Sequence, residues 1–140
     1  MPHIHNHCIV EQVAAKTIDA AIVFENEQLI AFLDHRPLFL GHTLLAPKQH
    51  VKTLMELPEN LILPLFSFAK TLAKAVQAAV QSDGIFVAMN NEVSQSIPHV
   101  HIIPRNKGDG LKGFFWPRMQ YQNDAHRQDI QLKIKAELNP

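Results

Sequence analysis

The stretch SQSIPHVHIIPR, Ser94 to Arg105, decides how this chain is read. It sets His99 and His101 two apart, among the β-favouring residues Ile97, Val100, Ile102 and Ile103. In a strand, residues two apart point to the same face. The spacing therefore predicts two imidazoles side by side, just after a polar loop from Asn90 to Ser96. Such a pair can bind a metal, clamp a phosphate or supply a nucleophile with its helper. A half-exposed strand with two chance histidines is the plainer alternative.

Working outward, the flanking segments alternate between short apolar runs and turns. Ala21 to Phe24 and Leu29 to Leu33 read as a hairpin around polar ENEQ, and His42 to Ala46 as a third strand ended by Pro47. Asp34 to Gly41 is a loop punctuated by Pro37 and Gly41. A long helix is expected from about Pro58 to Gln81, closed by Asp83-Gly84. Leu61, Leu65, Phe68, Leu72, Val76 and Ala79 form its core-facing stripe. Ile85 to Met89 is a fourth strand and Ile97 to Ile103 a fifth. Residues 9–19 suggest a short helix or an irregular lead-in, and Asp124 to Leu138 a terminal helix. Together these predict an antiparallel α+β fold, with 1–140 as one domain, 1–8 as a flexible tail and 106–140 as a C-terminal loop and helix.

Composition narrows the function. The chain has 140 residues, 46% apolar and 19% charged, as in ordinary soluble globular proteins. Thirteen basic and thirteen acidic residues cancel, so no charge excess points to nucleic acid or a membrane surface. No unbroken apolar run approaches the roughly 20 residues of a membrane span. One cysteine, Cys8, excludes an internal disulfide framework and, with no signal-like N-terminus, suggests a cytoplasmic protein.

The polar groups ahead of the histidines, Asn90, Gln95 and Ser96, offer donors without net charge, as an anion site requires. Asp34 can accept hydrogen bonds from two neighbouring hydroxyls or simply cap its turn. These residues, in AFLDHRPLFLGHTLLAPKQH (31–50) and NNEVSQSIPHVHIIPR (90–105), resemble the histidine triad family of nucleotide hydrolases and transferases. GDGLKGFFWPR (108–118) is similar to the tail of a bacterial branch. The resemblance implies a five-stranded antiparallel sheet with one long helix and a homodimer. It further implies a purine nucleotide or nucleotide conjugate as substrate. The middle histidine attacks the α-phosphorus, and water releases a nucleoside monophosphate from the nucleotidyl-histidine. By the same resemblance, Asp34 is the ribose-binding acid, His42 the histidine upstream of the triad, and Asn90, Gln95 and Ser96 phosphate contacts. Phe32 and Leu33 are base-pocket candidates as much as core.

The motif is also shorter than the family's Q-x-V-x-H-x-H-x-H-x-x-P-R by one "His plus apolar" pair. Anchored on Gln95, His99 is the first histidine, His101 the nucleophile, and Ile103 stands where the third would be. Anchored on Pro104-Arg105, His99 is the nucleophile and His101 the third. The first alignment keeps the phosphate loop in register with the nucleophile and is preferred. An isoleucine cannot donate to phosphate, so activity is expected to fall by roughly 10- to 1,000-fold. Nucleotide binding without turnover is one alternative, and a metal-binding strand protein another. No cofactor is required, though bacterial relatives hold zinc with C-x-x-C and two histidines. The matching residues here, Cys8, Glu11, His50 and His99, could hold a structural zinc. Phe114, Phe115 and Trp116, with Lys112 and Arg118, either cover the leaving-group side of the site or anchor their loop.

Overall fold

A computed structural model describes residues 9–91, 99–111 and 118–138. Two compact units meet the eye: residues 1–107 and 108–140. In the first, helix α1 (Ile9–Ala14) precedes strands β1 (Ile22–Glu25), β2 (Leu29–Leu33) and β3 (Thr43–Pro47), helix α2 (Glu59–Val80), and strands β4 (Gly84–Ala88) and β5 (Val100–Arg105). The strands form one antiparallel sheet in the order β1-β2-β3-β5-β4. The fold class is α+β, as the sequence predicts. Gln95, Ser96, Cys8 and the Phe114–Trp116 cluster lie outside the described residues.

Strand alternation sends side chains to two different surroundings. Leu29, Ala31, Leu45, Val100 and Ile102 share a core with Leu61, Leu65, Ala69, Leu72 and Val76 of α2. Ile30, Phe32, Leu44 and Ala46 face the other way and meet Val10 and Val13 of α1. The helical stripe differs from expectation in detail. Ala69 is buried while Phe68 is half-buried, its ring 4.1 Å from that of Phe24, and Ala79 is exposed.

By length and composition α2 can cross a membrane, with 22 residues and a mean hydropathy of 1.2. Lys70 and Lys74 interrupt it, so no unbroken apolar run of that length is present, and the core helix of a soluble protein meets the same criterion. Its buried stripe lies against the sheet, as in a core helix. The helix closes at Gln81, not at Asp83-Gly84. Gln81 takes the left-handed conformation (φ 53°, ψ 45°), and the Gln77 side-chain amide donates to the carbonyls of Ser82 and Asp83. The last-turn carbonyl of Gln77 is served by the main-chain N–H groups of Gln81 and Ser82, as in a left-handed cap.

Pro104 sits inside β5, where a missing N–H would normally break a ladder. The pairing with β3 runs only from Val100 to Ile102, so Pro104 is paired on the β4 side alone, opposite Ile85. In the second unit, helix α3 (Asp124–Leu138) buries none of its described side chains. Asn123 starts it by accepting the His126 N–H at 2.8 Å.

Candidate functional site

Position parity gathers the candidate residues. Phe32, Leu44, His101 and Ala88 lie in one row across β2, β3, β5 and β4. Asp34 continues the Phe32 face past the end of β2, His42 precedes Leu44 by two, and His99 precedes His101 by two. All therefore project from the face opposite α2. His99 and His42 are buried and His101 is half-buried. The His42 and His101 rings have centroids 5.2 Å apart, and those of His99 and His101 are 6.3 Å apart.

The loop between β2 and β3 is tied to these rings by its main chain. Asp34 N–H donates to the His42 carbonyl, and His42 N–H to the Phe39 carbonyl. Leu38 N–H donates to His42 Nδ1 at 3.1 Å, and His42 Nε2 lies 2.9 Å from His101 Nδ1. Gly41 makes the turn into β3 with φ +103°, a conformation that favours glycine. Asp34 does two things at once. Its Oδ1 accepts the Arg36 N–H at 2.9 Å, as a turn cap does, while its Oδ2 lies 3.7 Å from His42 Nε2.

These surroundings keep the imidazoles neutral. Burial pushes the His99 pKa down to about 4, helped by the nearby His101 and opposed by Asp34. Burial also lowers those of His42 and His101, in each case against the pull of Asp34. Among the described residues, neither ring nitrogen of His99 has a hydrogen-bond partner. That ring lines a cavity of about 810 Å³, together with Ile9, Val13, Phe32, Leu44 and Asp34. The cavity is thus apolar on most sides, with the carboxylates of Asp19 and Asp34 and the imidazoles of His35 and His99 at its wall, a lining suited to a flat apolar group attached to a polar one.

Metal binding has two candidate places. Asp34, His42 and His101 each bring a ligand atom within 4.8 Å of the others. A cation on His42 Nε2 would need that lone pair, moving the ring proton to Nδ1, where it would confront the Leu38 N–H. That donor arrangement does not fit a resident metal. Of the zinc ligands implied by resemblance, Glu11 and His50 do approach, with Oε1 3.0 Å from Nδ1. This is a close approach of Nδ1 to the carboxylate rather than a hydrogen bond. Cys8 is outside the described residues, and His99 does not join Glu11 and His50 in a group of that compactness among them.

Asn90 is exposed just beyond β4, whose last residue, Ala88, faces His101. Its neighbour Asn91 has a structural task, its Oδ1 accepting the Leu54 N–H at 2.7 Å. Sequence reasoning missed the Leu38 amide, since a main-chain donor leaves no trace in residue type. It also missed the cavity-lining residues of α1, although the apolar spacing of Ile9, Val10 and Val13 was a usable signal.

Residues 15–108 match the family description "HIT domain". The chain is 34% identical over 134 residues to the protein named hit of Bacillus subtilis (strain 168), covering 92% of this chain and 90% of that one. It is 31% identical to the adenosine 5'-monophosphoramidase of Saccharomyces cerevisiae, over 84% of this chain and 74% of the yeast protein. A Streptococcus mutans UA159 crystal structure superposes with a TM-score of 0.83 at 30% identity, covering 99% of this chain and 90% of the other.

Proposed function

The chain belongs to the HIT family, and from that premise we propose that it hydrolyses a nucleotide conjugate at the α-phosphate, releasing a nucleoside monophosphate. The observation that carries this reading is the apolar cavity ending at Asp34 and His99, beside the hydrogen-bonded pair of His42 and His101. A base fits between Phe32, Leu44 and α1. Asp34 Oδ2, not used by the Arg36 turn, accepts from a ribose hydroxyl. The α-phosphate then lies at the histidines, with Asn90, Gln95 and Ser96 as further donors.

The chemistry passes through a nucleotidyl-histidine. A neutral imidazole needs no prior loss of a proton to attack, which suits rings held neutral by burial. The alignment anchored on Gln95 gives the attack to His101, and the one anchored on Pro104-Arg105 gives it to His99. Substrates of this class include a nucleoside phosphoramidate, the bond type in the name of the yeast relative. The protein acts in the cytoplasm as a homodimer, a state supported by the exposed apolar Leu63 and Phe66 of α2 and Val87 of edge strand β4.

The test is AMP release from adenosine 5'-phosphoramidate, followed by chromatography with and without chelator. Turnover that survives chelation and disappears when His99 and His101 are both replaced by alanine is expected. Tight AMP binding with no turnover by the unaltered protein would replace hydrolysis with a binding role, and loss of turnover on chelation would favour a metal-based one.

A further inference from the structure

Hydrogen-bond direction determines where the ring protons sit. The Leu38 main-chain N–H can only donate, so His42 Nδ1 must offer its lone pair and the His42 proton must be on Nε2. That proton faces His101 Nδ1 at 2.9 Å, which must in turn be the acceptor. A neutral His101 then carries its own proton on Nε2. The series Leu38 to His42 to His101 runs one way only, because it begins at a peptide N–H that has no other state.

We infer that this one-way series makes His101 a fixed N–H donor for a phosphoryl oxygen, with the Leu38 amide and His42 as positioning groups, and leaves the attack on phosphorus to His99. The inference rests on the nucleotidyl-histidine reading above and reverses the roles that the Gln95 anchor assigns. A nucleophile needs an available lone pair. The only lone pair of neutral His101 is held by His42, and releasing it would set two N–H groups against each other at Leu38. His99 carries no such commitment: among the described residues neither of its nitrogens has a hydrogen-bond partner, and its ring lines the cavity that takes the nucleoside. Burying both nitrogens unpaired is costly, and a phosphorus ligand relieves part of that cost.

The division of labour also accounts for Ile103. The donor that this position cannot supply is supplied one register earlier by His101, so the short motif keeps one attacking ring and one donating ring. In the first step a lone pair of His99 forms the N–P bond. The bond from phosphorus to the leaving group breaks, its electron pair going to that group, which takes a proton from water. The His101 proton stays on Nε2 throughout, hydrogen-bonded to a non-bridging oxygen where charge accumulates. Water then attacks phosphorus, the P–N electron pair returns to His99, and the proton released by this water balances the one consumed earlier.

Two experiments test this on the intact protein. Long-range 1H–15N spectra of the uniformly labelled protein should show His101 protonated at Nε2 and bare at Nδ1. The opposite assignment overturns the inference whether or not the protein has activity. His42→Phe should leave His101 as a mixture of tautomers and lower kcat by roughly 10-fold with KM little changed. An unaltered His101 tautomer in that variant removes the positioning role of Leu38 and His42. Denaturant quenching during turnover of labelled adenosine 5'-phosphoramidate should place the adduct on His99. His101→Ala should still form it, with kcat lower by roughly 100- to 1,000-fold, whereas His99→Gly should form none and regain AMP release with added imidazole. An adduct on His101 overturns the inference and leaves the hydrolase reading intact. Absence of AMP release by the unaltered protein sinks that reading instead, and with it the attacking role of His99, while the tautomer is still decided by the spectra.

Discussion

Leu44 and Leu45 are neighbours in β3, yet Leu45 is sealed in the core beneath α2 while Leu44 forms part of a cavity wall. The same contrast runs along β5 and the residue before it, where Val100 and Ile102 are core and His99 and His101 belong to the candidate site. One face is closed by a 22-residue helix whose stripe of five buried residues spans it. The other is covered in part by α1, only six residues long, and the cavity lies between that helix and the sheet. The difference teaches that site and scaffold are made from alternate residues of the same strands. A change of register by one would exchange them.

The sharpest way to break this contrast is on the helix side. Leu65 is fully buried against the sheet, so Leu65→Ala should lower unfolding free energy by roughly 2–5 kcal/mol, read from urea denaturation. A loss under about 1 kcal/mol would mean that the helix-side core is not the main source of stability.

On the cavity side the expected signature is pH dependence. The His99 pKa lies near 4 in the folded chain, below its ordinary 6.5, so the unfolded chain binds more protons between those values. Stability is therefore complete above pH 6.5 and declines as pH falls towards 4, by roughly 3 kcal/mol for this one group. His42 and His101 are shifted in the same direction and add to the decline. Urea midpoints measured from pH 7 to 4.5 should fall, and His99→Phe should flatten the curve. An equal slope in that variant would remove His99 as the cause.

Gly41 joins the two faces, since its turn aims His42 at the site while its Cα approaches the end of α2. An added Cβ would stand 3.0 Å from Val80 Cγ1, in a backbone conformation (φ +103°) that side chains rarely adopt. Gly41→Ala should cost roughly 1–3 kcal/mol and, by displacing His42, lower kcat as well. A destabilised variant with unchanged kcat would show that the turn serves the scaffold alone. The smallest effect is expected at the sheet edge, away from both faces. Glu25 accepts from Lys16 and Lys48 at 2.6 Å each, and these pairs lower its pKa. Lys48→Ala should leave the thermal midpoint nearly unchanged, because such exposed pairs gain little over water.

Much of this was legible before any coordinates. Short apolar runs between turn residues marked all five strands to within a few residues, and the spacing of Leu61, Leu65, Leu72 and Val76 marked the long helix. Both signals are local, because they follow from the repeat of the element itself. Spacing does not settle where an element ends or which of its residues is covered: Gln81 closes α2 in the left-handed conformation, and Ala79 lies exposed although it fits the stripe's spacing.

The site divides in the same way. Residue order alone determined the family, the α+β class, and the placement of His99 and His101 on a common face, since alternation in a strand needs no partner. Only the tertiary structure decided that His101 meets His42, 59 residues away, and that the Leu38 amide stands behind that ring. Pairing register and the direction of a hydrogen bond depend on which atoms the folded chain brings within 3 Å or so. Nothing in the identity of a leucine announces what its main-chain N–H will find.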